Sequence, residues 1–185
     1  MSLLLIAASP SPASRSGSLL AAAGERLKHL GLATRSLNLR ELPAEALLRA
    51  EVEAPALREA LRLVQEARVV VLATPIYKAA YSGLLKVFLD LLPQDGFRHK
   101  LVWPLASAGS PAHLLALDYA LRPVIAALGA REVVDAVYAT DTQLPRGAGG
   151  DYQVSEDILR RLGEGAAQVF ERVPRPLAAD ERCRV

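Results

Sequence analysis

At 185 residues, with 51% apolar and 23% charged side chains, the chain is long enough for one domain with a sizeable core and has the balance of an ordered globule. Its single cysteine excludes an internal disulfide and any cysteine-built metal site, and a net charge of +2, with basic residues spread along the chain, leaves no nucleic-acid stripe. No apolar run approaches the roughly 20 residues of a membrane span, and the apolar start lacks a basic flank and a cleavage site, so a cytoplasmic protein is expected.

Residues 3–8 are almost uniformly apolar and read as a first strand buried on both faces. A hydroxyl-rich loop follows, Ser9-Pro10-Ser11-Pro12-Ala13-Ser14-Arg15-Ser16, and then an amphipathic helix to about Leu30, capped by Ser16 or Ser18 and stopped at Gly31. Residues 33–39 alternate enough for an edge strand, and Pro43 introduces a short helix near residues 44–49. Pro55 starts a helix to about residue 67. Residues 69–73, Val-Val-Val-Leu-Ala, form a central third strand. The segment Thr74–Gly83 reads as a loop leading into a helix that ends near Leu92. Residues 100–107 are the fourth strand, followed by one helix over 112–128 and a fifth strand over 132–139. The glycine-rich stretch 140–152 reads as a mobile loop, 154–172 as the last helix, and 174–185 as a disordered tail after a single domain of residues 1–173.

This alternation predicts a three-layer α/β sandwich with a five-stranded parallel sheet in the flavodoxin-like order 2-1-3-4-5. The loops after strands 1, 3 and 4 then converge on one crevice at the carboxyl ends of the strands. The first suits a phosphate: a helix N-terminus offers unpaired amides, Ser9, Ser11, Ser14 and Ser16 add hydroxyls, and Arg15 adds a planar donor fork. The loop is neither a Walker loop nor a dinucleotide fingerprint. It has the skeleton of a small tyrosine-phosphatase loop, but Ser9 stands where the nucleophilic cysteine belongs, and a serine there lacks a base to activate it. Such a loop holds a phosphate without attacking it, which points to a phosphorylated cofactor. The alternative is an ordinary N-cap serine cluster with an exposed arginine.

Three segments together resemble the NADPH-dependent FMN reductases: the Ser-Pro…Ser-Arg-Ser loop, Thr-Pro-Ile-Tyr-Lys-Ala-Ala-Tyr-Ser-Gly at 74–83, and Ala-His-Leu-Leu-Ala-Leu-Asp-Tyr-Ala-Leu-Arg-Pro at 112–123. The likeness spans about residues 3–138, fades from Thr140, and is greatest to the reductases of two-component alkanesulfonate monooxygenase systems. Ala8 stands where glycine is expected, and Ala108-Gly109 where a glycine pair is expected. The resemblance implies FMN and NADPH, with NADH as an alternative, and reduced FMN passed to a flavin-dependent monooxygenase for alkanesulfonate desulfonation in sulfur acquisition. It also implies a homotetramer with flavin sites at subunit contacts, where Tyr119 is an inserted residue making a π-bulge.

Flavin chemistry fits the same residues. Pro75, Ile76 and Tyr77 read as a rigid turn walling the ring, Ser82 and Gly83 as the place where backbone approaches it, and Ser107, Ala108 and Gly109 as amides facing its N1–C2=O edge. Lys78 and Lys86 are either solvated side chains or attractors of NADPH phosphates. His113 either touches the pyrimidine edge or NADPH, or serves as a cap or in packing. Two other readings of the fold remain open: a flavin-retaining quinone or azo reductase, and a non-enzymatic electron carrier, against which a pI of about 8.8 argues.

Overall fold

The computed structural model describes residues 2–173, so the expectation of a tail over 174–185 lies outside the described residues. In chain order the strands are β1 (Ser2–Ala7), β2 (Thr34–Asn38), β3 (Ala67–Tyr77), β4 (Ala80–Tyr81), β5 (Leu101–Ala108), β6 (Glu132–Val133) and β7 (Val137–Thr140). The helices are α1 (Arg15–His29), α2 (Ala44–Leu48), α3 (Pro55–Glu66), α4 (Gly83–Leu89), α5 (Arg122–Ala127) and α6 (Glu156–Arg172). The main sheet is parallel, with β2 at the edge, then β1, β3 and β5, and with both β6 and β7 on the far side of β5. Counting β6 and β7 as one interrupted strand gives the flavodoxin-like order 2-1-3-4-5 expected from the sequence. Among the described residues no helix is long and apolar enough to cross a membrane.

The apolar strands divide their side chains between two cores, as a period of two requires. Leu4 and Ile6 of β1, Val70 and Leu72 of β3, and Val102 and Ala106 of β5 pack with α3, α4 and α5. Leu3 and Leu5, Val69 and Val71, and Trp103 and Leu105 face the opposite way, against Leu19, Ala23 and Leu27 of α1 and Ile158, Leu162 and Ala166 of α6.

Four expectations need correction. First, Ser14, not Ser16 or Ser18, caps α1: its Oγ accepts the Gly17 N–H at 3.0 Å. Second, residues 74–77 are not a turn but the continuation of β3, because Thr74 and Pro75 still pair with Ala106 and Ser107 of β5. The chain reverses only at Lys78-Ala79, both left-handed (φ 49° and 63°), in a two-residue hairpin to β4. Third, the helix expected over 112–128 is broken into a 3-10 turn (Pro111–His113), a π-helical turn (Leu117–Leu121) and then α5; the π turn contains Tyr119, where the resemblance implied a π-bulge. Fourth, the fifth strand is split. The gap falls beside Trp103 and Pro104, where proline brings no N–H to the ladder and the Trp103 indole instead donates to the Asp135 carbonyl at 3.2 Å.

Candidate functional site

The loops after β1, β3 and β5 meet at the carboxyl end of the sheet around a cavity of about 330 Å³. The first loop contributes Ser9, Ser11 and Ala13, with Ser14, Arg15 and Ser16 at the start of α1. Pro75, Ile76 and Tyr77 form a second wall, and Ser107, Ala108 and Gly109 a third. Larger cavities lie at the opposite end, near His99 and Lys100 before β5. They lack the converging helix N-terminus and hydroxyls, so chemistry rather than size selects the smaller one.

Local hydrogen bonding shapes each wall. Ser9 Oγ accepts from the Ser11 N–H at 3.2 Å, which folds the loop back and leaves the Ser9 hydroxyl proton free to donate. Capping by Ser14 directs the first turn of α1 at the cavity, where the Arg15 and Ser16 amides have no intrahelical acceptor. Ser16 is buried, yet its Oγ has no hydrogen-bond partner. The one other such side-chain atom among the described residues, Ser155 Oγ, is not in the lining. An unpaired buried hydroxyl is unfavourable, and at a helix N-terminus it is placed to donate to an anion. The third wall is anchored from behind by the Tyr138 hydroxyl, which donates to the Ser110 carbonyl. Burial, reinforced by Asp141, pushes the Tyr138 pKa up, so it remains a donor at neutral pH.

The sequence profile described as NADPH-dependent FMN reductase matches residues 1–144. The chain belongs to this family. It is 40% identical over 182 residues to the FMN reductase (NADPH) of Pseudomonas putida, covering 96% of this chain and 92% of that one. It is 46% identical over 144 residues to the FMN reductase (NADPH) of Escherichia coli, covering 78% and 75%. Among solved structures it is similar to the apo form of an NADH:FMN oxidoreductase (EMOB), at 35% identity and a TM-score of 0.85, covering 95% of this chain and 91% of that one.

The cradle of this FMN reductase fits a phosphorylated flavin: an orphaned serine hydroxyl, open helix amides and an arginine stand at one end of a cavity, with Pro75, Ile76 and Tyr77 as an apolar wall. Five residues expected from the sequence lie outside the lining. Lys78 is exposed at the hairpin tip. The Ser82 hydroxyl is held inside the fold, donating to the Ala8 carbonyl at 2.6 Å and accepting the Leu85 N–H, so it ties β1 to α4. Gly83 starts α4 with open space beside it, so nothing in the chain itself requires its lack of a side chain. His113 ends the 3-10 turn after β5. Lys86 is engaged by Asp90 at 2.7 Å, which raises its pKa.

The cavity also contains two residues that the sequence reading missed, Asp141 and Tyr152. Both belong to the stretch expected to be a mobile loop, which is instead held by internal hydrogen bonds. A capping box joins Thr140 and Gln143, the Gly147 N–H donates to the Asp151 carbonyl at 2.7 Å, and the Gln153 N–H donates to the Pro145 carbonyl. Asp141 follows β7 at the carboxyl edge of the sheet, a position that alone marks a residue for the crevice. No local signal marks Tyr152.

Proposed function

We propose that this reductase binds FMN with its phosphate on the Ser9–Ser16 cradle, reduces it with NADPH or NADH, and supplies reduced FMN to a flavin-dependent monooxygenase, with alkanesulfonate desulfonation as the process served. The observation that carries the flavin reading is the unpartnered, buried Ser16 hydroxyl, set beside Arg15 at the N-terminus of α1. FMN, when bound, supplies the redox chemistry by accepting a hydride from the nicotinamide. The protein binds and orients. Ser9, Ser14, Arg15 and Ser16 hold the phosphate, the Pro75–Tyr77 wall supports the ring, and the Ser107–Gly109 amides stabilise negative charge at its pyrimidine edge. No side chain need move a proton: the titratable groups of the lining are Arg15, Tyr77, Asp141 and Tyr152, and Asp141 is paired with Arg15. Lys78, exposed beside Tyr77, is available to attract the phosphates of the dinucleotide.

The same reading makes the chain a homotetramer with Tyr119 at a subunit contact. Leu114, Leu115 and Tyr119 are exposed on the segment between β5 and α5, and Tyr119 is 79% accessible on the π turn. An exposed apolar face of this kind favours a protein partner.

Steady-state oxidation of NADPH and NADH by the purified protein with FMN, FAD and riboflavin tests the activity. Rapid turnover with FMN is expected; no oxidation with any flavin would leave an electron carrier. Titration of FMN and riboflavin against Arg15→Ala tests the phosphate assignment. Loss of a charge-assisted hydrogen bond should weaken FMN roughly ten- to a hundredfold and leave riboflavin unchanged.

A further inference from the structure

Arg15 is not a free cation waiting in a loop. Its Nε donates to the Leu144 carbonyl at 3.2 Å and lies 3.2 Å from the Asp141 carboxylate. One face of the guanidinium is covered by the Tyr152 ring, 4.6 Å from its centroid. The two outer nitrogens make no hydrogen bond to any described residue. A planar fork held at its Nε corner and stacked on one face keeps only its outer edge for a ligand, and that edge carries the donors that grip a phosphate bidentately. Tyr152 is itself fixed, because its backbone bridges Arg146 and the flanking Gly147–Asp151 and Pro145–Gln153 hydrogen bonds close the loop beneath it.

From this geometry we propose that Tyr152 is a positioning residue for Arg15 and so determines the preference of the site for phosphorylated over unphosphorylated flavin. The inference rests on the phosphate reading of the cradle. An arginine side chain has several rotatable bonds, and ordering it on binding opposes affinity. Stacking on Tyr152 does the ordering beforehand. The aromatic face also attracts the cation without neutralising it, which a second carboxylate would do.

The test compares FMN and riboflavin affinities, by fluorescence titration, in wild type, Tyr152→Phe, Tyr152→Leu, Arg15→Ala and the Tyr152→Leu/Arg15→Ala double variant, with a melting temperature for each. Tyr152→Leu keeps an apolar side chain but no π face, and should weaken FMN about fivefold with riboflavin within about twofold of wild type. Tyr152→Phe should keep the wild-type ratio of the two affinities. In the Arg15→Ala background, Tyr152→Leu should change the ratio no further, since the residue acts only through Arg15. Equal losses for both flavins in Tyr152→Leu, a loss in Tyr152→Phe, or an undiminished effect without Arg15 would each overturn the positioning role. If Arg15→Ala itself leaves the ratio unchanged, the phosphate reading fails and this inference with it. If Arg15→Ala abolishes the preference and Tyr152→Leu leaves it at the wild-type value, only the present inference fails.

Discussion

On one side of the sheet, α1 and α6 run 15 and 17 residues without interruption and press glycines against the strands. A Cβ on Gly24 would stand 2.8 Å from Leu5, and one on Gly165 only 2.3 Å from the Trp103 ring. The other side is pieced together. Its longest helix, α3, has 12 residues, α2 and α4 have 5 and 7, and the chain after β5 passes through a 3-10 turn and a π turn before α5. Leu114, Leu115 and Tyr119 remain exposed there. The first layer is closed by close approach to its own sheet. The second presents apolar surface outward, and that surface adjoins the hairpin whose Tyr77 lines the cavity at the carboxyl end of the sheet. Close packing and exposed apolar surface thus fall on opposite faces of one sheet.

The largest effect should come from filling the tight layer. Gly165→Ala puts a methyl group into the Trp103 ring, and neither the helix backbone nor a fully buried indole can yield cheaply. A loss of about 2–3 kcal/mol is expected, a fall in melting temperature of roughly 5–10 °C. Gly163→Ala, two residues earlier on the same helix, meets nothing within 4 Å and should stabilise by about 0.5–1 kcal/mol through helix propensity. Thermal melting of the pair gives opposite signs if close approach to β5 is what makes this layer tight.

The next effect separates binding from folding at the end of that layer. Ser16→Ala removes a buried hydroxyl that nothing in the protein satisfies. The ligand-free protein should melt no lower than wild type, while FMN binding weakens about three- to tenfold, the range of one hydrogen bond. A fall in the melting temperature of the ligand-free variant would mean that the hydroxyl serves the fold.

The smallest effect on stability is expected on the open layer. Tyr119→Ala truncates an exposed side chain, so the stability of the isolated subunit should shift by no more than about 0.5 kcal/mol. Light scattering should nevertheless report a smaller or concentration-dependent assembly. Wild-type mass at low concentration together with a sharp drop in melting temperature would show the residue to be a core element and erase the contrast between the two faces.

What the sequence made legible follows the same division. β1 and β3 are continuous apolar runs, and Leu19, Ala23 and Leu27 recur at helical spacing, so strands, α1 and their order could be read directly. The serine loop was legible because it lies directly between a strand and a helix. Which serine caps α1 was not, since Ser14, Ser16 and Ser18 offer the same chemistry at adjacent positions and only the backbone of Ser14 is extended there. The break after β5 was hidden from periodicity, because Leu114, Leu117, Leu121 and Ile125 fit a helix of unchanged pitch equally well, and only the family resemblance pointed to a π turn at Tyr119. Pro104 announced the interruption of the fifth strand only once its neighbour was known. Asp141 and Tyr152 reach Arg15 from about 130 residues away in sequence, through a sheet edge and a closed loop, and local pattern carries no record of such a meeting.

The hairpin tip between β3 and β4 has a further consequence. Lys78 and Ala79 both hold left-handed conformations without being glycine, about 1–2 kcal/mol each of unfavourable backbone. Both are exposed, and the bond between them follows a lysine. Loop tips of this kind are preferred sites of proteolytic nicking. Trypsin should therefore cut the native protein early after Lys78, one residue beyond the Tyr77 wall. A flavin resting against that wall should slow the cut, and the rate at which the two fragments form would then report occupancy of the site without any optical signal from the ligand.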